Sequence, residues 1–219
     1  MKALLKKEFA LCLHPTSFIF LCFCLFVFIP NYPYEVMFFF SGLSVFFICL
    51  TARENDDATL SCTLPVSKGS VAKARMVLCM LLQAALLLLA GIATAVKQLA
   101  FPVEAQVNLS GLMANMAFLG EGAMLLGVFN LIFFPMYFRD VRKVGVPFLV
   151  ASAVVFVLIG LSITLRFALP FVRDVVNTPD PSHLAVKLAI LLSGLCLYGV
   201  FSWIAMAMGT KNFIKNDLA

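Results

Sequence analysis

The chain has 219 residues, of which 63% are hydrophobic and only 12% are charged. Soluble domains carry about 25% charged residues, so this composition excludes an ordinary water-soluble core. The net charge of +5 does not indicate nucleic-acid binding, because the basic residues lie in short segments between apolar blocks. These blocks approach the 20 or so residues that cross a bilayer as a helix, which predicts an all-α integral membrane protein with six transmembrane helices.

The first 14 residues have the pattern of an amphipathic helix. Four apolar side chains share one helical face and three lysines share another: Leu5, Phe9, Cys12 and Leu13 against Lys2, Lys6 and Lys7. This arrangement is typical of a helix that lies in the membrane surface. A positively charged flank before the first span explains the same residues, and both interpretations stay open.

Six apolar blocks follow within a single membrane domain, residues 1–219. The predicted spans cover residues 16–30, 36–52, 76–96, 112–138, 144–165 and 184–208. Pro30 and Pro33 mark a short turn, so the first two spans are predicted to form a hairpin. The polar segment 168–184 before the last span is predicted to be either an external cap or a disordered loop.

Lysine and arginine are distributed unequally between the two sides of this six-span arrangement. Twelve fall on the side that holds both termini and four on the other, namely Lys97, Arg166, Arg173 and Lys187. Positive charge is retained on the cytoplasmic side of a membrane protein. The sequence therefore predicts that both termini and the loop 53–75 are cytoplasmic.

The loop 53–75 is the longest predicted connection on that side, and it mixes charged with apolar residues. Asn55 or Asp56 can cap a short helix that ends at Leu64-Pro65, while Ser67 or Ser70 can cap the helix that enters the third span. Leu60 and Leu64 are four residues apart and share one face of such a helix. The pattern predicts a short, partly apolar helix that binds a cytosolic partner.

Four short motifs carry a family resemblance. They are Met1–Phe9, the stretch Thr63-Leu64-Pro65-Val66-Ser67-Lys68, the stretch Val71-Ala72-Lys73-Ala74-Arg75 and the turn Pro135-Met136-Tyr137-Phe138-Arg139. In this order and placement they resemble a bacterial class of six-span ABC export permeases. The resemblance extends to exporters of amphipathic peptides such as phenol-soluble modulins.

The resemblance implies the parts and partners of a transporter. Residues 1–14 would be an elbow helix, and the loop 53–75 a coupling helix that binds an ATPase through Asp56, Asp57, Leu60, Leu64 and Pro65. Two ATPase chains and a second permease chain, expected to be identical, would complete the assembly in the bacterial cytoplasmic membrane. The chain has no G-x-x-x-x-G-K-[ST] loop, so it is predicted to need no cofactor of its own, with ATP and Mg²⁺ in the partner.

Glu121 is the one acid deep within a predicted span. Because a lone charge in lipid is costly, such residues usually face protein or a water-filled cavity, which makes Glu121 the candidate for a translocation pathway. A protonated or hydrogen-bonded packing residue is the structural alternative. Arg166, near a helix end, is expected to snorkel towards the membrane surface. Gln83, Asn115 and Asn130 are expected to form hydrogen bonds between helices.

Two other functions are compatible with a multi-span chain. A non-transporting immunity or accessory protein would not bind an ATPase. An intramembrane enzyme would need catalytic or metal-binding groups gathered at membrane depth. The two histidines, His14 and His183, lie near opposite faces and Glu121 has no obvious partner in the sequence. The chain is therefore predicted to be a transport subunit without catalytic or metal-binding residues.

Overall fold

The structure, a computed structural model, describes residues 2–30, 32–63, 65–102 and 112–215. Its α-helices are α1 (Lys2–Leu11), α2 (Thr16–Cys22), α3 (Val36–Glu54), α4 (Asp57–Thr63), α5 (Lys68–Ala100), α6 (Met116–Tyr137), α7 (Gly145–Ala168) and α8 (Leu184–Lys215). A 3-10 helix, Phe23–Phe28, continues α2, and a π-helical turn, Val172–Val176, follows α7.

Five helices of the described chain are long and apolar enough to cross a membrane: α3, α5, α6, α7 and α8. The predicted first span, 16–30, differs from its prediction. It is α-helical only to Cys22 and 3-10 helical to Phe28, and it counts as a sixth crossing only together with α1, from which it is bent by 91°. The all-α, multi-span membrane fold is confirmed.

The carboxyl end of the segment 53–75 is helical, and the helix that enters the third span begins after one of the two predicted caps, Ser67. Helix α5 begins at Lys68 rather than near residue 76, because the side chain of Ser67 accepts a hydrogen bond from the backbone N–H of Ser70 at 3.3 Å. Its first turns bury Val71 and Ala74. With 33 residues, α5 is about 50 Å long and exceeds the hydrocarbon layer of about 30 Å.

Helix α8 also runs past its predicted end, from 208 to Lys215. A Cβ atom added at Gly69 would lie 3.1 Å from Thr210 and 3.4 Å from Ile214, so the start of α5 contacts the end of α8. The two long helices therefore lie side by side at the end of the bundle where α4 lies.

The backbones of α6 and α8 approach each other closely where glycines of the two helices face each other. A Cβ atom added at Gly194 would lie 1.9 Å from the carbonyl oxygen of Gly120, and one added at Gly120 would lie 2.5 Å from that of Ile190. Only glycine fits at this crossing, since any side chain would force the backbones apart. Small residues thus allow α6 and α8 to form the most extensive helix pair of the bundle.

Polar side chains also join the helices, as predicted for Gln83 and Asn130. Their amides form two hydrogen bonds of 2.8 Å between α5 and α6, and Asn130 also donates to the Ser202 hydroxyl of α8 at 3.0 Å. All three side chains are buried. Because these two amides bond each other, their own polar groups do not face lipid. The bonds therefore fix the alignment of the three spans.

Hydrogen bonds join the segment 168–184 to the beginning of α6. Asn115 donates to the carbonyl of Val176 at 2.7 Å and also caps α6. Asp180 accepts from the backbone N–H of Met116 at 3.1 Å and from Lys187 at 3.0 Å. These bonds close the segment over the amino-terminal end of α6.

Candidate functional site

Helix α4 confirms the prediction of a short helix in this segment and shows which way it faces. Only Asn55 and Asp56 separate α3 from α4, and Asp56 has a φ of 47°, which allows the chain to reverse direction. Asp57 and Ser61, one helical turn apart, are buried, whereas Leu60 is 62% exposed. The buried face of α4 is therefore polar, and its exposed face carries the leucine.

Four charged side chains meet beneath α4, and we call Lys7, Glu8, Asp57 and Arg75 the four-helix charge cluster together with the Tyr137 hydroxyl. Arg75 donates to Glu8 at 2.9 Å and to Tyr137 at 3.2 Å, and it also bonds Asp57. Lys7 donates to Asp57 at 2.8 Å and to Ser61 at 2.7 Å. The cluster joins α1, α4, α5 and α6.

The charges of this cluster balance, two cations against two carboxylates. Burial by itself raises the pKa of Asp57, but the Arg75 guanidinium and the Lys7 ammonium outweigh it and hold that pKa below its ordinary value. A carboxylate with a lowered pKa stabilises the fold at any pH above its unfolded value of about 4, and this contribution is lost as the pH falls through the lowered pKa. The attachment of α4 is thus insensitive to pH near neutrality.

Three potential metal ligands, two from this cluster and Cys12 beside it, lie close together. One ligand atom each from Glu8, Cys12 and Asp57 falls within 4.8 Å of the others. Arg75 contacts all three residues and already supplies a positive charge there. Since the carboxylates are neutralised by the protein's own cations, this set fits an internal ion-pair network rather than a metal site.

The predicted partner-binding residues separate into two groups. Asp56, Leu60 and Pro65 are exposed, whereas Leu64 lies outside the described residues. The prediction that Asp57 offers its carboxylate to a partner needs correction, because this side chain is 6% exposed and bonded to Lys7 and Arg75. Asp57 instead positions α4 on the helices beneath it.

A second buried cluster lies near the other end of α6, at Glu121. Arg166 contacts Glu35 at 2.5 Å through Nη1 and Glu121 through Nη2, and we call these three residues the Arg166 cluster. The prediction that Arg166 snorkels is wrong, since its side chain is 6% exposed. Glu121, for which the sequence suggests no partner, is paired with Arg166. Its 16-residue separation from Tyr137 along α6 corresponds to about 24 Å.

A cavity of about 240 Å³ adjoins the Arg166 cluster. Glu121, Ser162 and Arg166 are polar groups on its wall, and most of the remaining lining is apolar, including Leu158 and Leu161. The structure thus brings Glu121 next to a cavity between α6, α7 and α8. That this cavity belongs to a translocation pathway stays a prediction.

Glu8 and Glu35 were missed as site residues. Glu8 falls four residues after Leu4 and four before Cys12, and all three are buried on one face of the first helix. An acid at an apolar position of an amphipathic helix signals a buried partner. Glu35 has a weaker signal, its place directly before the apolar helix α3.

Comparison with known families agrees with this architecture. The family described as "ABC-2 family transporter protein" matches residues 3–209, nearly the whole chain. No curated protein and no solved structure gives a significant match. The chain belongs to the ABC-2 transporter family and is a multi-pass membrane permease subunit of an ABC transporter.

Proposed function

We propose that the protein is the permease subunit of an ATP-driven exporter and that α4 is the helix on which a separate ATPase acts. The observation that carries this proposal is the inverted amphipathicity of α4, with Asp57 and Ser61 buried and Leu60 62% exposed. Beside it, Val66 is 37% exposed. An apolar side chain held outward by polar anchors suits insertion into a groove on a partner protein.

The four-helix charge cluster supports mechanical coupling. Arg75 and Lys7 attach α4 to α5 and α1, and Tyr137 extends the same network to the end of α6. A displacement of α4 therefore has to move these helices or break buried ion pairs, which is costly. ATP-driven movement of the partner would reach the bundle through this network.

Charge distribution supports the orientation that this function requires. Twelve of the 16 lysines and arginines fall on the side of the bundle with α1, α4 and the end of α8. With that side in the cytoplasm, as positive charge favours, α4 meets the cytosolic ATPase and both termini are inside. The membrane would be the bacterial cytoplasmic membrane.

The remaining parts of the assembly follow from the family. Two ATPase chains, which bind ATP and Mg²⁺, would serve two permease chains, the second being a copy of this one. Helix α1 would be the elbow helix, since Phe9 and Leu11 are 43% and 56% exposed on a helix bent 91° from the next. Amphipathic peptides are the proposed cargo, and Glu121 is the proposed pathway residue.

Shortening Leu60 to alanine is expected to weaken ATPase binding about tenfold to a hundredfold, because truncating a buried apolar anchor at an interface costs about 1 to 3 kcal/mol. The measurement is the affinity of the purified permease for its ABC ATPase. Leu60→Ala is expected to leave the permease equally stable, since the side chain is 62% exposed in the free chain.

Thr59→Ala is the matched control, because Thr59 is exposed on the same helix but points about 100° away from Leu60. It is expected to retain wild-type affinity. If Leu60→Ala binds the ATPase as tightly as the wild type, α4 is not the docking helix. A permease that binds no ATPase at all would instead favour an accessory membrane protein.

A further inference from the structure

We propose that the Arg166 cluster and its adjoining cavity form a binding site for an amphipathic amine. The cationic group would bind to the carboxylate of Glu121, which lines the cavity beside Arg166, and the apolar part would occupy the cavity. This inference rests on the proposed function only in taking the ligand to be part of the transported peptide. Amine binding itself is a property of the permease alone.

The first support is charge. Two carboxylates share one guanidinium, so the ionised Arg166 cluster has a net charge of −1. None of the other cations described at this end is seen in contact with the Arg166 cluster. Lys187 pairs with Asp180 and Arg173 with Asp174, while Lys97 donates to two neutral groups, the Val27 carbonyl and the Tyr34 hydroxyl. A buried net charge is costly, and a bound cation removes that cost.

The second support is hydrogen bonding. Oε2 of Glu35 and Oε1 of Glu121 are buried without a hydrogen-bond donor among the described residues, whereas Oε1 of Glu35 lies 2.5 Å from Arg166 Nη1. Glu35 is fully buried. Buried polar atoms are nearly always satisfied in native proteins. A primary ammonium supplies three N–H donors together with the missing positive charge.

The third support is the shape of the cavity. At about 240 Å³ it is smaller than the roughly 300 to 1,000 Å³ of sites for whole small molecules. It therefore suits a short alkyl chain or a single apolar side chain. Glu121 and Arg166 form part of a wall that Leu158, Leu161 and Leu165 continue. A ligand that is cationic at one point and apolar beside it matches both surfaces.

The test is calorimetric titration of the purified, full-length permease, without ATPase, with hexylamine at neutral pH. Hexanol and hexanoate provide the same chain with a neutral or an anionic head group. Hexylamine is expected to bind, with hexanol about 10- to 100-fold weaker, the range expected for losing a hydrogen-bonded charge pair. Glu121→Gln is expected to lower hexylamine affinity by the same factor.

Glu121→Gln is expected to fold, because the Glu35–Arg166 pair that remains is neutral, and circular dichroism would verify this. Glu35→Gln also leaves the cluster neutral, so it is a second variant that is expected to weaken hexylamine binding. Asp174→Asn is the matched control, since Asp174 is an exposed acid at the same end of the helix bundle. It is expected to leave binding unchanged.

Hexylamine that binds no better than hexanol, or equally well to wild type and Glu121→Gln, would overturn the proposed site. Tighter binding of hexanoate would also overturn it, because Arg166 would then be the ligand-binding group. Because the experiment includes no ATPase, its outcome is independent of whether α4 is the docking helix.

Discussion

Replacing Arg75 by alanine is expected to lower the free energy of unfolding by about 3 to 5 kcal/mol, the usual cost of removing one partner from a buried ion-pair network. Arg75 is 3% exposed and contacts Glu8, Asp57 and Tyr137. Without it, two buried carboxylates share the single ammonium of Lys7, and the network acquires a net negative charge. Helix α4 loses its strongest attachment to α5.

The measurement is unfolding of the purified permease by denaturing detergent in mixed micelles. Lys73→Ala is the matched control, because Lys73 is an exposed cation on the same helix and is expected to change stability by less than about 0.5 kcal/mol. Arg75→Lys keeps the charge but lacks the forked donors that reach three partners, so an intermediate loss is expected. An Arg75→Ala protein as stable as Lys73→Ala would contradict this account of the cluster.

Replacing Arg166 by alanine is expected to have a comparable effect, again about 3 to 5 kcal/mol. The change leaves the fully buried Glu35 and the 14% exposed Glu121 with no cation described between them. Like charges at close range in a poorly hydrated site repel strongly. This prediction is separate from the first, because the two clusters lie near opposite ends of α6.

Arg173→Ala provides the control for Arg166, since Arg173 has a 59% exposed side chain and is expected to contribute little. The variant Arg166→Ala with both glutamates changed to glutamine is expected to regain most of the lost stability, because no uncompensated charge remains. Both are measured by the same detergent titration. Failure of the triple change to restore stability would show that Arg166 acts through packing rather than charge.

The membrane architecture could be predicted from the sequence because it depends on local composition. Apolar blocks of spanning length locate α3, α5, α6, α7 and α8, and turn residues separate them. The ends of the helices could be predicted less accurately than their centres. The apolar block predicts a span that begins near residue 76, but the Ser67 cap and the burial of Val71 and Ala74 place the start of α5 at Lys68.

The site residues could be predicted only where a side chain is exceptional in its own segment. Glu121 satisfies this condition as an acid among apolar residues, and Leu60 as an apolar residue among charges. The ion pairs could not be predicted, because Arg75 and Glu8 are 67 residues apart and Arg166 and Glu121 are 45 apart. Such pairing depends on how helices pack, which periodicity in a single sequence does not determine.

The dependence of side-chain contacts on helix packing also explains why Asp57 is not on the predicted partner surface. Asp56 and Asp57 are adjacent acids, and both were assigned to the partner surface. The left-handed conformation of Asp56 redirects the chain, so that Asp57 points towards Lys7 and Arg75 while Asp56 stays exposed. One backbone conformation thus separates an exposed side chain from a buried anchor.

The central claim, that α4 contacts the ATPase, is tested most directly by crosslinking in living cells. A photoreactive amino acid would be placed at Leu60 and, as a control, at Leu99, which is 88% exposed at the opposite end of α5. The account predicts a covalent adduct with an ABC ATPase from position 60 and none from position 99. An adduct from position 99, or its absence at position 60 in cells that assemble the transporter, would contradict it.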